Sequence, residues 1–261
     1  PGEVSEIDAS VYDISQFNKV KMWIEYINRL IGVLVGLFIL GTTILSIPFW
    51  KKDRPVVLGS VASLILVIFQ GWLGGRVVKS GLEGGTITLH MIVAVLLLSL
   101  LVWVTYRASA STRGFTIAPD YRKQLRIATG AFFFLCAIQV VTGSQVRESV
   151  DLIHANHASE IDRADWLEHI GNLFKWHRSA AWLLAAGGLG LAWIGVRGRI
   201  AGAGRRTLLA VVALVALQFV TGAALAWFAL PRPFQILHLG LSSLLVCATF
   251  LLIVGLRKND S

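Results

Sequence analysis

The sequence predicts an all-α polytopic membrane protein, with seven transmembrane helices drawn from a duplicated four-plus-four bundle. Three observations predict it. Of 261 residues, 55% are hydrophobic and only 15% charged. The mean hydropathy is +0.68, far too apolar for a soluble domain. Seven apolar stretches each supply the roughly 20 residues that crossing a bilayer requires. They run over about 20–48, 55–77, 86–106, 123–146, 173–196, 206–229 and 233–256. Pro48, Pro55, Pro119, Pro231 and Pro233 fall in or beside the connections, where helix breakers belong.

Charge placement orients these spans. The net charge of +9 would suit a nucleic-acid partner, but its distribution argues against one. Lys51, Lys52 and Arg54 lie in one connection, and Arg107, Arg113, Arg122, Lys123 and Arg126 in another. Arg197, Arg199, Arg205 and Arg206 lie in a third, and the tail ends with Arg257 and Lys258. The alternate connections are acidic: residues 1–21 hold four acids against two lysines, and 148–172 hold six acids against one arginine. This is the positive-inside asymmetry. It predicts a multi-pass protein of a bacterial inner membrane, its first residues outside and its last in the cytoplasm. Cys136 and Cys247 both fall within spans, as small packing residues, and no disulfide is expected.

An internal repeat organises the spans. Gln70-Gly71-Trp72-Leu73-Gly74-Gly75, Gln139-Val140-Val141-Thr142-Gly143-Ser144 and Gln218-Phe219-Val220-Thr221-Gly222-Ala223 share the pattern Gln-x-x-x-Gly-small. His90 follows Gln70 by 20 residues, and His238 follows Gln218 by the same distance. Asn28-Arg29 precede His90 by 62 residues, and His177-Arg178 precede His238 by 61. The first three spans therefore align with the last three. The fourth has no partner in the first half, so the repeat predicts a further helix ahead of residue 1. The halves are expected over 1–108 and 109–261. Glycine at every fourth residue also serves close helix packing, the role expected of Gly32 and Gly36.

The polar residues inside the spans carry the chemistry. Intramembrane ionisable groups are costly and usually functional. His90, His177 and His238 each lie one to two turns into a span, at one depth by the predicted topology. Interhelical hydrogen bonding is one reading. The pair His177 and His238 supports another: imidazoles from two helices of one bundle can approach one iron from opposite faces. Zinc fits less well, because no further His or Cys shares that depth in the second half. In the first half His90 matches His238, but Asn28 stands where His177 stands, and Glu25 lies one turn before it. Glu25 also has an i,i+4 partner in Arg29. Arg29, Arg178, Arg147 and Arg76 could hold propionates through charge-assisted hydrogen bonds or snorkel to the interface, the latter favoured for Arg76. His154, His157 and His169, in the acidic connection, are expected to be solvated.

The stretches "WIEYINRLIG", "FQGWLGGRVV", "IQVVTGSQVRE", "FKWHRS" and "ILHLGLSS" resemble the haem A synthase family, which oxidises a ring methyl of haem O to a formyl group. The resemblance covers essentially the whole chain and implies an eight-helix protein of two similar halves. It implies that His177 and His238 ligate a resident haem b, and that His90 serves the half where haem O binds. Glu25 would be the glutamate of the family's Glu-x-x-His-Arg motif. Here the sequence departs: Asn28 replaces that histidine, which counts against two histidine ligands on the substrate iron. The family's first helix carries a Gly-Gly-x-Thr-Arg stretch that this sequence lacks. Implied partners are haem O itself, the haem O synthase, cytochrome oxidase assembly, an electron acceptor of unknown identity and the bilayer. The competing reading is a dihaem, cytochrome b-like electron carrier. A transporter or a structural subunit would leave the aligned histidines unexplained.

Overall fold

The computed structural model describes residues 19–79, 84–109, 115–157 and 160–257. The acidic segment 1–18, Arg113, Lys258 and the side chain of His157 lie outside the described residues. Among the described residues eight α-helices follow one another: α1 (Lys19–Ser46), α2 (Arg54–Lys79), α3 (Gly84–Ala108), α4 (Pro119–His157), the single turn α5 (Trp166–His169), α6 (Asn172–Arg197), α7 (Gly202–Trp227) and α8 (Arg232–Gly255). All but α5 are long and apolar enough to cross a membrane. In hydrocarbon every backbone group must pair internally, which is why apolar stretches of this length close into helices. Side-chain hydroxyls obey the same rule by bonding back one turn, as Ser60 does to Val56 and Thr129 to Leu125.

Packing centres on the second half. α4, α6, α7 and α8 enclose a core that includes Phe132, Leu191, Val211 and Leu252. α3 packs against both α4 and α8, and α2 against α3. Small residues let these helices approach closely. A Cβ at Gly187 would stand 2.8 Å from Phe132, and one at Gly59 would stand 2.7 Å from Trp103. Cys136 is a free thiol within this core.

Phe115 locks one end of the bundle. Its amide donates to Gly255 O, its carbonyl accepts from Arg122, and its ring fills the space between Gly204 of α7 and Gly255 of α8. At the same end Arg107 Nε donates to both carboxylate oxygens of Asp53 at 2.9 Å, joining α3 to the α1–α2 connection.

Two features differ from expectation. The helix expected over 123–146 runs from Pro119 to His157. No glycine or proline interrupts residues 145–157, and Val150 and Ile153, three residues apart, pack with Trp166 and Leu167. Among the described residues Gly32 and Gly36 make no close packing contact: none stands within 4 Å of a Cβ placed at either. The main neighbour of α1 among the described helices is α2, so the face bearing these glycines is not covered there.

Candidate functional site

The three Gln-x-x-x-Gly stretches fold into three copies of one collar around a histidine. Gln70 Nε2 donates to His90 O at 3.0 Å, Gln139 Nε2 to His177 O at 3.0 Å, and Gln218 Nε2 to His238 O at 2.8 Å. Each bond ties two antiparallel neighbours: α2 to α3, α4 to α6, and α7 to α8. The glycine one turn after each glutamine lies against the imidazole. A Cβ would come within 3.4 Å of His90 Cε1 at Gly74, 3.0 Å of His177 Cε1 at Gly143, and 3.3 Å of His238 Cε1 at Gly222. At Gly143 and Gly222 the absent side chain makes room for the ring, while at Gly74 a Cβ would stand at ordinary contact distance.

The residue between glutamine and glycine separates the copies. In two it is threonine: Thr142 Oγ1 lies 3.1 Å from His177 Nδ1, and Thr221 Oγ1 lies 2.9 Å from His238 Nδ1. In the first copy it is Leu73, and His90 Nδ1 is buried with no hydrogen-bond partner among the described residues. Sequence reasoning missed both threonines. The signal was present: two of three copies read Gln-x-x-Thr-Gly. It also missed that Gln139 serves His177, because 38 residues and a connection separate them.

His177 on α6 and His238 on α8 belong to one bundle, in which both helices pack against α4 and α7. His90 belongs to a different collar on α3. The charged neighbours repeat in position but not in chemistry. In α1, Arg29 pairs with Glu25 one turn before it. In α6, Arg178 stands 5.6 Å over the ring of Phe174, the matching position. Glu25, Asn28 and Arg29 are all exposed on α1. Arg147 donates to Asp151 at 2.9 Å and also to Gln235 at the start of α8. Arg76 is exposed near the end of α2.

The remaining histidines are placed apart from these collars. The His154 ring lies 5.4 Å from that of Trp166, and His169 Nδ1 lies 2.9 Å from Asp165 O. Among the described residues no three His, Cys, Asp or Glu side chains cluster as a metal site would require. A pair of imidazoles, each with a hydroxyl at hydrogen-bond distance from Nδ1, fits a haem iron of the kind that takes two histidine ligands.

Fold and collars together define a multi-span helical membrane protein whose histidines are positioned by hydrogen bonds from neighbouring helices. The chain belongs to the COX15-CtaA family, described as cytochrome oxidase assembly protein, whose model matches residues 6–250. It is similar to proteins named "Heme A synthase". That of Alkalihalophilus pseudofirmus is 31% identical over 129 residues, 48% of this chain and 42% of the relative. That of Methylorubrum populi is 32% identical over 144 residues, 50% of this chain and 35% of the relative. That of Ehrlichia canis is 29% identical over 133 residues, 50% of this chain and 38% of the relative. The matched stretch spans less than half of each relative's length.

Proposed function

We propose that the chain is a haem A synthase, oxidising a ring methyl of haem O to a formyl group for terminal oxidases. The observation that carries this reading is the inequality of the collars. In the second half two imidazoles, from α6 and α8, each have a threonine hydroxyl at Nδ1, and both helices pack against α4 and α7. In the first half a single histidine, His90, has no hydroxyl partner, and α1 offers Asn28 and a carboxylate instead.

His177 and His238 would hold haem b between them. When bound, that group supplies a one-electron relay toward an acceptor. His90 would serve the iron of haem O, and Asn28 occupies the repeat position that His177 holds in the second half. Oxidising a methyl group releases protons as well as electrons. Glu25 suits the proton side, as an acceptor or as a negative charge beside developing positive charge on the ring. Arg29, Arg178 and Arg147 would neutralise propionates. In this reading the halves, 1–108 and 109–261, descend from one module, the collars lie toward the outer leaflet, and the C-terminus faces the cytoplasm. Haem O synthase upstream and cytochrome oxidase assembly downstream are the implied partners.

Pigment extraction tests the reading. The full chain, purified from cells that make haem O, should yield haem B together with haem O or haem A. Haem B alone at two per chain would favour the dihaem carrier and overturn the synthase.

A further inference from the structure

The hydrogen bonds around Thr142 and Thr221 can be followed proton by proton. Gln139 must present Nε2 to the carbonyl of His177, which fixes the amide and leaves Oε1 as an acceptor. Thr142 Oγ1 lies 3.1 Å from that Oε1 and 3.4 Å from Gln139 O, so its proton has acceptors other than the ring. With the proton given to Gln139, the hydroxyl is free to accept from a protonated His177 Nδ1 at 3.1 Å. In the other copy Thr221 Oγ1 lies 2.9 Å from Leu217 O and 3.1 Å from Gln218 O, and it is likewise free to accept from His238 Nδ1 at 2.9 Å. Both collars therefore accommodate the tautomer with Nδ1 protonated and Nε2 unprotonated. That is the form that ligates a metal, and a donated Nδ1–H strengthens the ligand. His90 has no such hydroxyl among the described residues: Leu73, only 3% exposed, occupies the threonine position, and His90 Nδ1 is buried with no hydrogen-bond partner there.

We propose that Thr142 and Thr221 are positioning residues that fix His177 and His238 for permanent ligation, and that Leu73 leaves His90 a weaker ligand suited to a haem that must depart. This rests on the haem reading above. It assigns a physical basis for the difference between a resident cofactor and an exchanging substrate: one hydroxyl, present or absent, at one repeat position. A substrate site with ligands as tightly held as those of the second half would retain its product.

Thr142→Val and Thr221→Val keep the side-chain shape and remove the hydroxyl. In the full, haem-loaded protein each should raise the midpoint potential of the bis-histidine haem, because a ligand that no longer donates Nδ1–H stabilises ferric iron less. Each should also speed haem loss to apomyoglobin by about 10- to 100-fold. Serine at the same position should restore both properties. In the first half, Leu73→Thr should slow loss of the haem held at His90 relative to Leu73→Val, which removes similar volume without adding a hydroxyl. Unchanged potential and haem retention in both threonine variants would overturn the proposal. So would equal release from the two Leu73 variants. His177→Ala and His238→Ala separate this from the parent reading: if either retains the low-spin haem signal, the haem assignment itself has failed.

Discussion

Gln139 on α4 donates its side-chain amide to the backbone carbonyl of His177 on α6 at 3.0 Å, which joins two helices whose sequences are separated by the longest connection in the described chain. The same bond joins α7 to α8 and α2 to α3. A half-buried glutamine in an apolar bundle must find partners, and here its amide donates to the turn that carries the imidazole. The effect is to fix where along the helix axis each histidine sits.

Glu25 is the group whose removal should separate chemistry from cofactor binding. It lies on α1, paired with Arg29 and outside the collars of His177 and His238. Glu25→Gln should stall conversion of haem O while leaving the haem b absorption spectrum intact. Extracted haem measured by chromatography is the check, and an unchanged yield of haem A would remove Glu25 from the mechanism.

The collar glycines should rank by the room each ring leaves. A methyl at Gly143 would meet His177 Cε1 at 3.0 Å, tighter than the 3.3 Å at Gly222 or the 3.4 Å at Gly74. Gly143→Ala should therefore displace its histidine most and reduce haem b content most clearly. Gly222→Ala should have a smaller effect, and Gly74→Ala should leave haem b content at the wild-type level. Haem-to-protein ratios from pyridine haemochrome spectra give the order.

Phe115 should be the most costly single truncation at its end of the bundle. It is 6% exposed and wedged between Gly204 and Gly255. Phe115→Ala should destabilise the second half by about 3–5 kcal/mol, the cost of emptying a packed aromatic site. Denaturant unfolding in detergent, followed through tryptophan fluorescence, measures it.

Much of this arrangement was legible in the sequence, for identifiable reasons. The seven spans follow from hydropathy, because backbone pairing in hydrocarbon leaves few alternatives to a helix. The equivalence of His90 and His238 follows from equal spacing after Gln70 and Gln218, which the α2–α3 and α7–α8 hairpins turn into matched contacts. What spacing could not show was the link between Gln139 and His177, whose connection is longer and holds α5. Nor could it show which atom each collar touches. Thr142 and Thr221 read as ordinary small residues of a packing motif until their hydroxyls are placed beside Nδ1. The continuation of α4 to His157 was hidden because residues 148–157 are polar, while the stabilising contact comes from Trp166 on a separate turn.

The central claim is that His177 and His238 share one iron. Low-temperature electron paramagnetic resonance of the purified, oxidised protein tests it most directly. The account predicts a low-spin ferric signal of bis-imidazole type that disappears in His177→Ala and in His238→Ala separately, and persists in His90→Ala. A signal that survives either of the first two substitutions would contradict it.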